Sequence, residues 1–181
     1  MNIITRPQGC DLCYCRPDTT WERENKDFYV PDNVETLYWA PIVFARISKA
    51  GKCIGTKFVS RYYDAYNCGV LLYCNDAPIA FSSCADHTSR LPFPLHNAET
   101  LDDGRIYKVF RNGEEIFSAA ADRTMIEDTI CKASQTTSLR IGDFVAAELD
   151  GLKPLAVSED GQIALRGGFS DENAYDFKLI F

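Results

Sequence analysis

The chain has 181 residues, of which 46% are hydrophobic and 25% are charged, and its formal net charge is −7 at pH 7. This composition is ordinary for a globular protein, and the length predicts one domain, 1–181, whose core needs no disulfides or structural metal. An acidic surface repels nucleic acid and anionic membranes, so we expect neither as a partner.

Targeting signals and cysteine content bear on the compartment. Residues 1–13 lack the charged and then apolar pattern of a secretory signal, and no apolar run approaches the roughly 18 residues that span a membrane. Eight cysteines are too few for a disulfide scaffold in a chain of this length. We therefore expect reduced thiols in a cytoplasmic protein, because disulfides persist mainly in oxidising compartments.

The first half of the chain predicts strands and one short helix. Residues 28–30 are a β-prone triplet that ends at Pro31, and residues 37–47 are apolar nearly throughout, as in a strand buried on both faces. Thr56 can cap a helix near residues 57–66, in which Phe58, Tyr62 and Tyr66 lie on one face. Residues 68–74 form a second apolar strand.

The second half predicts a hairpin, a helix and two more strands. Asn112-Gly113 favours a type I′ turn in a hairpin over residues 105–118. Thr124 and Glu127 have the spacing of a capping box, which predicts a helix over residues 124–134. Strands are indicated at residues 144–147 and, by strict alternation, at residues 175–181. The expected fold class is mostly β (β-rich α+β), with two short helices.

Several segments in collinear order resemble the fumarylacetoacetate hydrolase family. The matching residues are Arg16-Pro17-Asp18, Arg46-Ile47, Gly51-Lys52, Ile54, Arg61-Tyr62-Tyr63-Asp64-Ala65, Gly69, Asn112-Gly113, Met125 and Leu139-Arg140-Ile141-Gly142-Asp143. The resemblance implies the mixed sheets of that family's C-terminal catalytic domain. It also implies a dimer, because proteins of the family typically dimerise.

The departures from the family pattern fall at its metal site. The family holds a divalent metal with a Glu-x-Glu pair and an Asp, and these positions are Ala40, Ile42 and Leu71 in this sequence. Alkyl side chains provide no oxygen ligand for such a metal. The resemblance therefore implies a former pocket walled by these three residues, with Asp76 and Glu148 as polar remnants, and no metal, cofactor or catalytic residue.

Three functions are compatible with this sequence. We expect a catalytically inactive fumarylacetoacetate hydrolase-like protein that binds a small molecule or another protein, as a homodimer or paired with an active relative. One alternative is a metal-dependent C–C bond hydrolase or decarboxylase of oxo-acids with a rebuilt active site. The other is a metal-binding protein that uses the thiols of Cys10, Cys13 and Cys15, although a structural zinc site needs a fourth ligand.

Overall fold

A computed structural model of the chain describes residues 1–76, 82–102, 104–169 and 172–181. The strands are β1 Ile3–Arg6, β2 Tyr14–Arg16, β3 Trp21–Glu22, β4 Phe28–Tyr29, β5 Thr36–Ile47, β6 Tyr63–Tyr73, β7 Ser89–Arg90, β8 His96–Asn97, β9 Ile106–Arg111, β10 Glu114–Ala120, β11 Phe144–Glu148, β12 Lys153–Val157, β13 Gln162–Phe169 and β14 Tyr175–Ile180. The helix α1 spans Arg123–Thr136, and short 3-10 turns lie at Asp18–Thr20, Val59–Arg61, Ala98–Asp102 and Ser158–Asp160. The β-rich fold class is confirmed.

One of the two predicted helices is wrong. Residues 59–61 form a single 3-10 turn, and the chain enters β6 at Tyr63, where pairing with β5 begins. The local helical spacing loses to the strand pairing because Tyr63 and Tyr66 are buried in the core from the strand conformation. The other predicted helix is confirmed as α1, although its N-cap is Asp122, whose carboxylate accepts a hydrogen bond from the Thr124 N–H at 2.8 Å.

The described strands form two sheets. In the first, the order is β2-β1-β11-β5-β6-β7-β3, with β12 also paired to β5 and β8 also paired to β6; the second has the order β10-β9-β13-β14-β4. The hairpin predicted at Asn112-Gly113 is confirmed, and both turn residues have positive φ, 50° and 89°. No helix within the described part of the chain is long and apolar enough to cross a membrane.

The first sheet curls on itself. Strands β2 and β3 stand at opposite ends of the strand order, yet only residues 17–20 separate them. Seven flat strands would span about 29 Å, whereas the chain from residue 16 to residue 21 reaches at most about 18 Å. The curl brings the Arg16 guanidinium of β2 to the Leu72 carbonyl (3.0 Å) and the Ser89 hydroxyl (2.8 Å) on the far strands.

The curl separates two apolar clusters. The outer face of the sheet packs against α1 and the second sheet to form the larger core. The concave face, which we call the barrel interior, holds a smaller cluster of Ile3, Ala40, Ile42, Phe44, Leu71, Tyr73, Leu91, Phe144 and Ala146. Because side chains alternate along a strand, every second residue of β5 and β6 enters this interior.

Candidate functional site

The three positions that correspond to the family's metal ligands lie together in the barrel interior. Ala40 is directly opposite Leu71 in the β5–β6 pair, and Ile42 lies two residues farther along β5 on the same face. All three are fully buried and belong to the same apolar cluster. The structure thus brings these residues together, in surroundings that contain alkyl and aromatic groups.

Aromatic rings fill part of this interior, and we call them the aromatic plug (Trp21, Phe44, Phe93 and Phe144). The ring centroids of Phe144 lie 5.4 Å from Trp21, 5.6 Å from Phe44 and 6.4 Å from Phe93. Tilted and edge-to-face contacts of this kind stabilise aromatic clusters beyond their buried area. Phe44 and Phe144 belong to the same buried cluster as Ala40 and Leu71, Trp21 packs against that cluster, and Phe93 is 38% exposed.

Glu148 is the carboxylate that the structure places beside these residues. It pairs with Ile42 across β11 and β5 and is 7% exposed. The Tyr73 hydroxyl donates to Oε1 at 2.5 Å, and the Gln8 N–H donates to Oε2 at 3.3 Å. Burial raises the pKa of the Glu148 carboxyl, against the lowering effect of these hydrogen bonds and of the Arg16 charge.

Tyr14, Arg16, Tyr73 and Glu148 form an interior polar cluster. The hydroxyls of Tyr14 and Tyr73 are hydrogen-bonded to each other, and burial raises the pKa of both. The guanidinium of Arg16 is fully buried, lies 4.8 Å from the centre of the Tyr73 ring and donates through Nη2 to the Thr88 hydroxyl at 2.8 Å. One of its nitrogens, Nη1, has no hydrogen-bond partner among the residues that the structure describes.

Tyr14, Arg16 and Tyr73 were not predicted from the sequence to belong to a site. A signal was present, because Cys13 and Cys15 alternate in a strand-like segment and so place Tyr14 and Arg16 together on the opposite face. What the sequence did not show is that the sheet curls enough for this face to meet Tyr73.

Asp76 is placed differently from the other predicted pocket residues. It is exposed on the bend that follows β6, outside the buried cluster around Leu71. The structure therefore brings together Ala40, Ile42, Leu71 and Glu148 and leaves Asp76 at the surface. Residues 77–81, which follow it, lie outside the described part of the chain.

The barrel interior does not fit a divalent metal. Glu148 is a single carboxylate already engaged by Tyr73 and Gln8, and its neighbours across the sheet are alkyl groups. Such metals require several oxygen ligands. Among residues 1–76, 82–102, 104–169 and 172–181, no three or more histidine, cysteine, aspartate or glutamate side chains are grouped to hold a metal ion.

The N-terminal cysteines face a pocket of their own. Cys10, Cys13 and Cys15, joined by Cys84, line a mainly apolar pocket of about 550 Å³ next to Tyr14. Burial raises the pKa of the Cys13 and Cys15 thiols, which lowers the thiolate fraction that a soft metal needs. In the described residues this arrangement gives the cysteine hypothesis no grouped ligand set.

Solved structures with a similar fold include hydrolases and a fumarylacetoacetate hydrolase family protein. A fumarylacetoacetate hydrolase family protein from Yersinia pestis has a TM-score of 0.83 and 14% identity, over 99% of this chain and 92% of that one. Fumarylpyruvate hydrolase from Pseudomonas aeruginosa, in complex with Mn²⁺ and pyruvate, has a TM-score of 0.81 and 15% identity, over 99% and 88%. Maleylpyruvate hydrolase from Sphingobium sp. SYK-6, in complex with manganese(II) and pyruvate, has a TM-score of 0.81 and 16% identity, over 99% and 70%. No sequence-family model and no curated protein matches this chain.

Proposed function

We propose that this chain, which has the fold of fumarylacetoacetate hydrolase family proteins, is a non-catalytic member of that family that serves as a binding or interaction module. The observation that carries the proposal is the closed apolar cluster at Ala40, Ile42 and Leu71. These are the positions at which the resemblance places the metal ligands, and all three side chains are alkyl.

The chemistry that a metal supplies has no substitute at these positions. A bound divalent ion polarises a substrate oxygen and lowers the pKa of a coordinated water to near neutrality. The Glu148 carboxylate provides neither effect, because it is a base and not a Lewis acid, and its oxygens already accept hydrogen bonds from Tyr73 and Gln8. Aromatic rings also occupy space beside these positions, since Phe44 and Phe144 belong to the same buried cluster as Ala40 and Leu71.

The alternative expected from the sequence was a metal-dependent enzyme with a rebuilt active site; the interior polar cluster suggests a different form of it, a rebuilt site that works without a metal. Perturbed pKa values gather at functional sites, and the interior polar cluster contains a buried acid beside the buried Tyr73, the half-buried Tyr14 and an arginine. The same contacts have a structural explanation, because Arg16 and Tyr14 tie β2 to β6 and β7. We prefer the structural explanation, because a charged group buried away from substrate access needs such partners in any fold.

Turnover measurements test the proposal. The purified protein, supplied with Mg²⁺ or Mn²⁺, is assayed for hydrolysis of acylpyruvates and decarboxylation of oxaloacetate, with fumarylpyruvate hydrolase from Pseudomonas aeruginosa as the positive control. We expect no turnover above background and no micromolar Mn²⁺ binding by calorimetry. Turnover that EDTA abolishes would refute the non-catalytic proposal. Turnover that persists in EDTA but is lost in Glu148→Gln would support the rebuilt site.

A further inference from the structure

A second pocket lies at one end of the β5–β6 strand pair, and we call it the mouth pocket. It has a volume of about 840 Å³ and lies where β5 ends and β6 begins, lined by Arg46, Asp64, Arg123 and residues 93–99 among others. Pockets that hold small molecules commonly have volumes of about 300–1,000 Å³. Its lining does not include Ala40, Ile42, Leu71 or Glu148.

The floor of the mouth pocket is apolar and supported from below. Phe93, Leu95 and Ala65 contribute to its lining. The Phe93 ring lies 5.8 Å from Trp21 and 6.4 Å from Phe144, centre to centre, so the other rings of the aromatic plug hold it in place. This floor offers a ligand an apolar surface backed by packed side chains.

The rim of the pocket carries both signs of charge. Arg46 donates from Nε to Asp64 Oδ1 at 3.0 Å and from Nη2 to Asp64 Oδ2 at 2.8 Å, and the side chains are 40% and 46% exposed. Arg123 and the exposed Glu99 also line the pocket, and the Arg123 guanidinium is anchored to the Ala98 carbonyl at 2.8 Å. The positive charges of the two arginines and the negative charges of Asp64 and Glu99 give these four groups a net charge of zero.

The remaining titratable groups of the lining stay neutral near pH 7. Burial lowers the pKa of His96, aided by the charge of Arg105, whose Nη1 lies 3.3 Å from Nδ1 of the ring, and opposed by the Glu172 carboxylate, which lies 3.5 Å from Nε2. Burial is also the main cause that raises the pKa of Tyr63 to about 12. Neither side chain therefore tips the charge balance of the rim.

We propose that the mouth pocket binds a small zwitterion with an apolar side chain, the chemistry of an apolar amino acid. Its carboxylate would lie at Arg46 and its ammonium at Asp64, which the bidentate pair holds side by side, while the side chain covers the floor at Phe93. A rim with cancelling charges disfavours phosphates and dications, because each would meet one uncompensated like charge. This inference rests on the proposed binding role of the chain.

Nuclear magnetic resonance titration of the isotope-labelled chain tests the inference. It uses three compounds that share a phenyl ring on a two-carbon chain and differ in the charged groups that they carry. L-Phenylalanine carries both charges, 3-phenylpropanoate carries the carboxylate alone, and 2-phenylethylamine carries the ammonium alone. We expect L-phenylalanine to bind about fivefold more tightly than either fragment, because a partly exposed ion pair changes Kd by roughly that factor.

Two variants separate charge recognition from damage to the fold. Arg46→Gln is expected to weaken L-phenylalanine and 3-phenylpropanoate but not the amine, and Asp64→Asn to weaken L-phenylalanine and the amine but not the carboxylate. The matched control is Arg111→Gln, which breaks the comparable surface pair with Asp160 (2.8 Å) on the second sheet and should leave all three affinities unchanged. Absence of saturable shifts with L-phenylalanine, equal binding of all probes, or equal losses in both variants would overturn the inference. These outcomes would not affect the non-catalytic proposal, which the turnover measurements test separately.

Discussion

At the scale of single residues, Glu148 is the group whose ionisation opposes folding. Its raised pKa means that the folded chain holds the proton more tightly than the unfolded chain. The contribution of this carboxyl to the free energy of unfolding is therefore fully present below its pKa in the unfolded chain. That contribution is lost as pH rises through its raised pKa in the folded chain. The buried carboxylate is thus a source of instability near neutral pH.

We predict that Glu148→Gln raises the thermal unfolding midpoint near pH 7 and changes it little near about pH 4. The amide keeps an oxygen that accepts from Tyr73 and carries no charge to bury. Thermal unfolding followed by circular dichroism across this pH range measures the difference, with the exposed Glu114→Gln as control. An equal shift at both pH values would show that Glu148 does not titrate in this way.

The residues of the candidate site were only partly predictable from the sequence. Resemblance placed Ala40, Ile42 and Leu71 on one strand pair because collinear segments fix the register of neighbouring strands. The contact between Arg16 and Tyr73 could not be predicted, because it joins strands that are far apart in the strand order and meet only through the curl of the sheet. Such contacts leave no periodic signal in the sequence.

At the scale of elements, the β9–β10 turn depends on a backbone conformation that favours glycine. Gly113 has φ of 89°, and a residue with a Cβ in the left-handed region costs about 1–2 kcal/mol. We predict that Gly113→Ala lowers the free energy of unfolding by about that amount, measured by urea denaturation. Gly55→Ala is the control, because Gly55 has no positive φ and open space around its Cα; equal losses in both variants would contradict the explanation.

Elements fixed by local signals were the ones that the sequence predicted well. The Asn112-Gly113 turn and the helix α1 depend on residues within a few positions of one another. The failed helix near residues 57–66 had an equally good local pattern. Its second half became β6 because that segment pairs with β5 along its whole length, an interaction that a local window does not contain.

At the scale of the whole molecule, association remains a prediction that rests on the resemblance. We expect a dimer, formed either by two copies of this chain or with an intact relative that supplies the active site. Light scattering at micromolar concentration should give twice the mass of the chain. A monomeric mass would exclude the homodimer and leave only the dimer with an active relative. If the chain also fails to associate with family enzymes when the two are mixed, the mixed dimer is excluded as well.

The closed apolar cluster at Ala40, Ile42 and Leu71 also opposes the stepwise return of a metal site. A single change to Glu or Asp at one of these buried positions would place an unpaired charge among alkyl and aromatic groups, which is strongly destabilising. The benefit of a bound metal would arrive only when several carboxylates stand together. A metal site at these positions would therefore require several substitutions together, because each single one destabilises the fold on its own.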